Sequence, residues 1–403
     1  MASIVVIGAG QAGSSLVARL RAKGFDGAIT LIGKEPVPPY QRPPLSKKYL
    51  LGEMDLERLY LRPESFYSEN AIDLRLSETA ISIDRAGKVV VADGKTIPYD
   101  QLALTTGAVP RRLPSNIGGD LQGVYVVRNL QDVDTMAPGF REGAHVLIVG
   151  GGYIGLEAAA VAASRGLKVT LIEAAERILQ RVAARETSDY FRALHTAHDV
   201  DIREGTGLET LTGDTRVTGA RLSDGTELAV DFVIAGIGIA PATALAEAAG
   251  LTIANGIAVD EFGRTSDPAI WAAGDCASFP HDGGRLRLES VPNAIDMAEC
   301  VADNIIGAEK RYVPQPWFWS DQYDVKLQIA GLNTGYTRVI TRPGDGEGST
   351  SFWYYAGDRL LAVDAMNDAR AYMVGKRLID AGKSPSAKAV ADPATDLKAL
   401  LRS

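Results

Sequence analysis

Hydrophobic positions along the chain fall into short continuous runs, each followed by glycines and then by a stretch with helical spacing. Ile4–Ile7 and Val146–Val149 are uninterrupted apolar runs, the pattern of parallel strands covered on both faces. The segments "SIVVIGAGQAGSSLVARLRAKGFDGAITLIGKE" and "HVLIVGGGYIGLEAAAVAASRGLKVTLIE" share one order: strand, glycine turn, Ala- and Leu-rich helix, second strand. Gly8, Gly10 and Gly13 recur at a constant offset as Gly150, Gly152 and Gly155, so the chain repeats one unit. Two meanders follow the units. "KVVVADGKTIPYDQLALTTGA" has turn signals at Asp93-Gly94 and Ile97-Pro98, and "VTGARLSDGTELAVDFVIAGIG" has a hairpin signal at Asp224-Gly225. From Pro314 the pattern becomes aromatic and strand-like ("WFWS", "KLQIAGL", "TRVITR", "STSFWYYAGDRLLAVDA"), then helical from Asp368 to about Ala381. The tail after Gly382 is polar and then helical.

Composition narrows this picture. At 403 residues the chain is too long for one hydrophobic core. The predicted class is α/β, with two Rossmann-like dinucleotide-binding domains and a C-terminal α+β domain. The predicted boundaries are 1–109 with 243–315 for the domain of the first glycine repeat, 110–242 for that of the second, and 316–403 for the C-terminal domain. A formal net charge of −8 argues against a nucleic-acid partner, which needs a basic face. The apolar stretch Phe232 to Leu251 is broken by Gly236, Gly238 and Pro241, so it reads as a buried strand and a helix rather than a membrane span. The N-terminal residues lead straight into a strand with no basic leader, and the expected location is cytoplasmic, with no membrane partner. The two cysteines, Cys276 and Cys300, form no CxxC, so neither a redox dithiol nor a zinc knuckle is expected. Four histidines make a metal site improbable, and His195 and His198 read as exposed helix surface.

The glycine turns carry the chemistry. In "GAGQAG" (8–13), Gly8 permits a tight turn, Gly10 lets the backbone approach a pyrophosphate, and Gly13 lets helix pack on strand. The helix start then offers N–H donors and partial positive charge to phosphate. Glu35 is placed to accept hydrogen bonds from a ribose diol. "GGGYIG" (150–155) repeats the argument, and Glu173 closes its second strand. An acid there suits a free 2′-hydroxyl and repels a 2′-phosphate, which favours NADH over NADPH. Two dinucleotide sites in one chain are explained if one holds a flavin and the other a nicotinamide.

With "PPYQRPPLSKKYL" (38–50), "TTGA" (105–108), "GGGYIGLE" (150–157), "AAGDCA" (272–277), "ESVPNA" (289–294) and "PWFWSDQ" (316–322) in that order, the sequence resembles the FAD-dependent NADH:ferredoxin reductases of bacterial monooxygenase and ring-hydroxylating dioxygenase systems. It is similar to the putidaredoxin reductase type over essentially the whole chain, and more distantly to apoptosis-inducing factor. The resemblance implies a glutathione-reductase-like arrangement in which Ala12, Glu35, Arg42, Lys47, Ala80, Arg128, Asp275, Val291 and Trp319 contact FAD. Asp275 would hold the ribityl chain and Val291 would offer its N–H to the flavin pyrimidine edge, with Pro292 in the first turn of the next helix. Lys47 and Glu157 would meet beside flavin N5 as the catalytic pair. Tyr153, flanked by Gly152 and Ile154, would lie over the flavin until nicotinamide displaces it, while Gly238 and Glu289 would approach the NAD ribose and nicotinamide. Three positions depart from the family pattern: Lys34 replaces an acid, "TTGA" replaces "ATGA", and "APAT" (240–243) lacks an asparagine.

The implied activity is electron transfer from NADH through FAD to a [2Fe–2S] ferredoxin serving a haem-thiolate monooxygenase; the alternatives are the reductase of an aromatic-ring dioxygenase and an NADH oxidase. Flavin suits the first two because it accepts electrons in pairs and releases them singly. An oxidase or peroxidase needs a cysteine near "RPPLSK", where residues 34–52 have none. A binding flavoprotein of the apoptosis-inducing type would need a basic face. A local basic excess (Lys310, Arg311, Lys326, Arg338, Arg342) and Arg62 are expectations for ferredoxin docking.

Overall fold

In the computed structural model, which describes residues 2–402, the chain divides into two compact units. The first comprises the chain up to Arg42, Met54–Val109 and Ile239–Pro316. Its centre is the apolar run at the N-terminus, now the strand Ser3–Ile7, the middle of a five-stranded sheet. Ala28–Ile32 and Ile72–Arg75 lie on one side, Gln101–Leu104 and Ile270–Ala272 on the other, all parallel. Because both faces are covered, the strand residues Ile4, Val5 and Val6 are almost fully buried. The helices Gln11–Ala22 and Val291–Ile305 pack against one another, and Arg19 joins them by a two-pronged bond to Asp303 (2.7 and 2.8 Å). The Asp93-Gly94 signal is a hairpin: Val89–Ala92 pairs antiparallel with Lys95–Pro98, with both turn residues at positive φ.

The second unit comprises Pro43–Glu53, Pro110–Gly238 and Trp317 onward. Its parallel sheet runs Asp201–Glu204, Lys168–Glu173, His145–Val149, Phe232–Ala235, Val124–Tyr125. The expected meander forms from Leu208–Thr212, Gly219–Leu222 and Glu227–Ala229. The aromatic C-terminal region folds as an antiparallel five-stranded sheet with Trp317–Gln322 at one edge and Arg338–Pro343 at the other, covered by the helix Ala369–Asp380. The run after Phe232 is a buried strand, Phe232–Ala235, then the helix Ala244–Ala248. Among the described residues no helix is long and apolar enough to cross a membrane.

Two sequence expectations are corrected here. His195 is not on an exposed face: it has no accessible surface, while His198 is exposed. The helix Arg185–Thr196 buries Thr187, Ser188, Phe191 and His195, and the spacing of 188, 191 and 195 puts them on one stripe. Arg342 is not a surface cation: it is buried, and its guanidinium donates to the carbonyls of Val390, Asp392, Pro393 and Thr395, tying down the C-terminal tail.

Candidate functional site

The two glycine turns have matching geometry. Gly8 and Gly150 take φ of +114° and +110°, a region closed to residues with a Cβ. A methyl added at Gly13 would run into the Gly8 carbonyl, and one at Gly155 into the Gly150 carbonyl, so each helix sits tight on its strand. Gly10 and Gly152 are different: a methyl at either meets nothing within 4 Å. Each caps a twelve-residue helix, Gln11–Ala22 or Tyr153–Ser164, and has no side chain to cover the N–H groups there. An open cradle in front of free helical N–H groups is what a pyrophosphate requires.

Of the residues expected at a flavin, Ala12, Glu35, Arg42, Ala80, Asp275 and Val291 belong to the first unit, and Lys47, Arg128 and Trp319 to the second. Ala12 is buried against Gly274, a methyl on which would stand 3.1 Å from the Ala12 Cβ, so the first turn faces the Gly274-Asp275 pair. Arg42 donates to Glu35 (2.5 Å), and Tyr40 donates to the other oxygen of the same carboxylate (2.5 Å). Burial opposes the charge on Arg42, but Tyr40, Glu35 and Asp275 outweigh it and leave its pKa raised. Arg287 reaches both the Asp275 carbonyl (3.2 Å) and the Glu289 carboxylate. Ala80 follows a loop pinned to the Glu35 region by Ser77 N–H to the Glu35 carbonyl (3.1 Å). Val291 opens the helix Val291–Ile305 with Ser290 as cap and Pro292 in the first turn. Both cysteines lie in this unit, free and buried; burial raises the Cys276 thiol, which donates to the Leu104 and Ala273 carbonyls. Arg62 is engaged by Ser14 (2.9 Å) and the Phe66 ring.

The second unit holds the Lys47–Glu157 ion pair. Lys47 Nζ lies 3.0 Å from Glu157 Oε1 and 3.5 Å from Asp321 Oδ2. The turn Pro43–Ser46 delivers Lys47, the second turn of the helix Tyr153–Ser164 delivers Glu157, and the strand Trp317–Gln322 delivers the rest. Ser46 donates to Glu157 Oε2 (3.1 Å) and Ser320 to Oε1 (2.7 Å). Burial raises the Glu157 pKa, and Lys47 and the two serines act against it. Ser46 and Ser320 were not anticipated. Their signal was in the sequence: Ser46 precedes Lys47, and Ser320 follows Trp319 in "FWSDQ", on the opposite face of the strand.

Tyr153 packs against Phe318 with tilted rings (5.1 Å between centroids), and Phe318 and Trp317 both lie beside Trp319. The Tyr153 hydroxyl is buried without a hydrogen-bond partner among the described residues, and its pKa is raised by that burial. Ile154 is 43% exposed beside the glycine turn. Glu173 accepts from Gly151 N–H and Ala175 N–H (both 2.8 Å), so its carboxylate closes the second turn. Gly238, at φ +98°, accepts from Arg111 N–H (2.9 Å) and faces the Arg111 and Arg181 side chains. Arg128 precedes the capping box Asn129–Asp132 of the helix Leu130–Met136, which packs on the turn carrying Lys47.

Two nucleotide cradles on parallel sheets and a buried lysine–carboxylate pair define a pyridine-nucleotide oxidoreductase. Residues 2–298 match the family described as pyridine nucleotide-disulphide oxidoreductase, and residues 317–401 match a reductase C-terminal domain. The chain is 41% identical to rhodocoxin reductase of Rhodococcus erythropolis, covering 98% of this chain and 93% of that one. It is 43% identical to a ferredoxin–NAD(P)+ reductase of a Sphingomonas species, covering 98% and 96%. The crystal structure of the covalent putidaredoxin reductase–putidaredoxin complex superposes with a TM-score of 0.96 at 39% identity, covering 100% of this chain and 98% of that one. The chain therefore belongs to the pyridine nucleotide-disulphide oxidoreductase family, in its ferredoxin reductase branch, and is an NAD(P)H-dependent flavoprotein that uses FAD. The open cradles at Gly10 and Gly152 and the orphan Tyr153 hydroxyl fit those two cofactors.

Proposed function

We propose that the protein oxidises NADH and passes its electrons one at a time to a [2Fe–2S] ferredoxin that serves a haem-thiolate monooxygenase in the cytoplasm. FAD, when bound, supplies the acceptor for the hydride and the donor of single electrons. The observation that carries this reading is the Lys47–Glu157 pair, held by two serines on the same unit as the second glycine turn. Lys47 presents a fixed positive charge, and Glu157 keeps the ammonium in one place, so the charge is preorganised where hydride transfer needs it. Tyr153 keeps water off the face that nicotinamide takes. In the first unit Gly10, Gly13, Glu35, Arg42, Ala80, Asp275 and Val291 are the residues for the flavin; in the second, Gly152, Ile154, Gly155, Glu173 and Gly238 are those for the nicotinamide nucleotide. On this reading the stretches 1–109 and 243–315 form the FAD domain, 110–242 the NAD domain and 316–403 a C-terminal α+β domain.

NADH as the preferred donor rests on Glu173, whose carboxylate at the strand end repels a 2′-phosphate. Partner choice rests on the relatives named above, whose names specify rhodocoxin, ferredoxin and putidaredoxin. The test is an anaerobic NADH titration followed by the visible flavin bands, with cytochrome c reduction measured with and without a [2Fe–2S] ferredoxin. Bleaching near stoichiometric NADH with ferredoxin-dependent turnover is expected. Fast reoxidation by oxygen with no ferredoxin dependence would instead identify an oxidase.

A further inference from the structure

The pair's carboxylate is one end of a longer buried chain. Ser320 Oγ donates to Glu157 (2.7 Å) and accepts from Gln322 Nε2 (3.2 Å). Gln322 Oε1 lies 2.8 Å from His195 Nε2, and His195 Nδ1 lies 3.2 Å from the Tyr323 hydroxyl. Ser320, Gln322 and His195 are all 1% exposed or less, so none can exchange its partner for water. The Tyr323 ring is clamped by stacking on His198, with centroids 3.6 Å apart.

The donors in this chain run one way. A carboxamide oxygen only accepts, so Nε2 of His195 must carry the proton that faces Gln322, and Nδ1 is left to accept from Tyr323. Burial pushes the His195 pKa down to about 4, so the ring is neutral through the neutral range and has one donor and one acceptor. Gln322, oriented by that ring, gives its N–H to Ser320. That occupies the acceptor side of Ser320 and commits its O–H to Glu157. If the ring held the other tautomer, the amide would turn over and the Ser320 O–H would be drawn to Gln322 instead. Lys47 is the charged group that acts on Glu157; Asp321, on the strand that carries Ser320, lies 3.5 Å from Lys47 Nζ. His198 is the titratable charge that acts on His195.

We propose that Ser320, Gln322 and His195 are positioning residues for hydride transfer: the buried imidazole, through the amide, fixes the serine hydroxyl on Glu157 and so keeps that carboxylate ionised and in place beside Lys47. The inference deepens the reading of Lys47–Glu157 as the hydride-transfer pair and gives a role to the "SDQ" half of "FWSDQ", which the cofactor contacts leave unexplained. It makes no use of proton relay, since a carboxamide does not pass protons along.

Two measurements on full-length holoprotein test it. The first is nitrogen NMR of ¹⁵N-histidine protein, with His195 assigned by loss of its signals in His195→Asn. A single Nε2–H tautomer is expected for His195, and Gln322→Leu is expected to abolish that preference. The second is the pH dependence of flavin bleaching by NADH. Ser320→Ala is expected to move the Glu157 midpoint up by about one pH unit, the size of one lost bond to a charged group. Ser320→Thr is expected to restore it. Gln322→Leu is expected to move it the same way, and Ser320→Ala/Gln322→Leu no further than Ser320→Ala alone. An unchanged tautomer in Gln322→Leu, or additive midpoint shifts in the double variant, would overturn the proposal. If NADH does not bleach the wild-type flavin, the hydride-transfer reading falls; the imidazole tautomer and the infrared carboxyl band lost in Glu157→Gln, whose pH midpoint Ser320→Ala should raise, then decide the chain.

Discussion

At the residue scale, the Lys47–Glu157 pair is buried enough that its halves depend on one another. Lys47→Met leaves a buried carboxylate without its cation, and breaking such a pair costs about 3–5 kcal/mol. Urea unfolding should show that loss, with the double variant Lys47→Met/Glu157→Gln recovering much of it, while the rate of flavin reduction by NADH falls about tenfold or more in both. His195 gives a pH signature of its own. Its pKa is lowered on folding from the ordinary histidine value to about 4, so the unfolded chain binds the proton more tightly between those values. Its contribution to stability is therefore complete above about pH 6.5 and is lost as pH falls toward 4. Wild type should lose stability across that window relative to His195→Gln, measured by chemical unfolding at each pH. The sequence alone placed His195 on the surface together with His198, three positions on. What decided its position was the stripe of Ser188 and Phe191, and a partner, Gln322, that lies 127 residues away.

At the element scale, the two glycine turns separate folding from nucleotide binding within one motif. Gly10→Ala puts a methyl into open space at an N-cap and should cost the fold less than about 1 kcal/mol, yet it fills the cradle and should cut FAD retention sharply. Gly13→Ala drives a methyl into the Gly8 carbonyl and should destabilise the fold itself. Thermal melts and flavin absorbance of the purified variants distinguish the two outcomes. Most of this was legible beforehand: the continuous strand runs, the hairpin at Asp93-Gly94 and the helix after Asp368 follow from local chemistry. The serines around Glu157 were not, because a serine carries no periodic signal and its role depends on which carboxylate the fold brings within 3 Å. Arg342 misled for the same reason: a cation in a mixed-charge stretch reads as surface until the tail carbonyls close around it.

At the scale of the whole molecule, the C-terminal sheet of the second unit is fastened to the helix Arg185–Thr196 by a buried acid. Asp364 accepts from Thr187 (2.7 Å) and from Tyr354, whose hydroxyl also receives the Ala184 N–H (3.1 Å). Burial raises the Asp364 pKa to about 6, so the folded state holds this proton more tightly than the unfolded one. Its contribution is present below the ordinary aspartate range and is lost as pH rises through about 6, a change of about 3 kcal/mol. Asp364→Asn should remove that dependence, and the stability difference between the two proteins should change across this window in the sense opposite to that of His195. The first unit carries a different consequence. The strand Gln101–Leu104 pairs on one side with Ser3–Ile7, which precedes it, and on the other with Ile270–Ala272, where Trp271 donates to Gln101 from 170 positions later. At about 5–20 residues per second, a ribosome leaves that strand edge uncovered for roughly ten to thirty seconds. During that time Gln101–Leu104, apolar in three of its four residues, is open to pairing with another nascent chain, so the yield of active protein in a cell is set by chaperone supply and translation speed as much as by the stability of the finished fold.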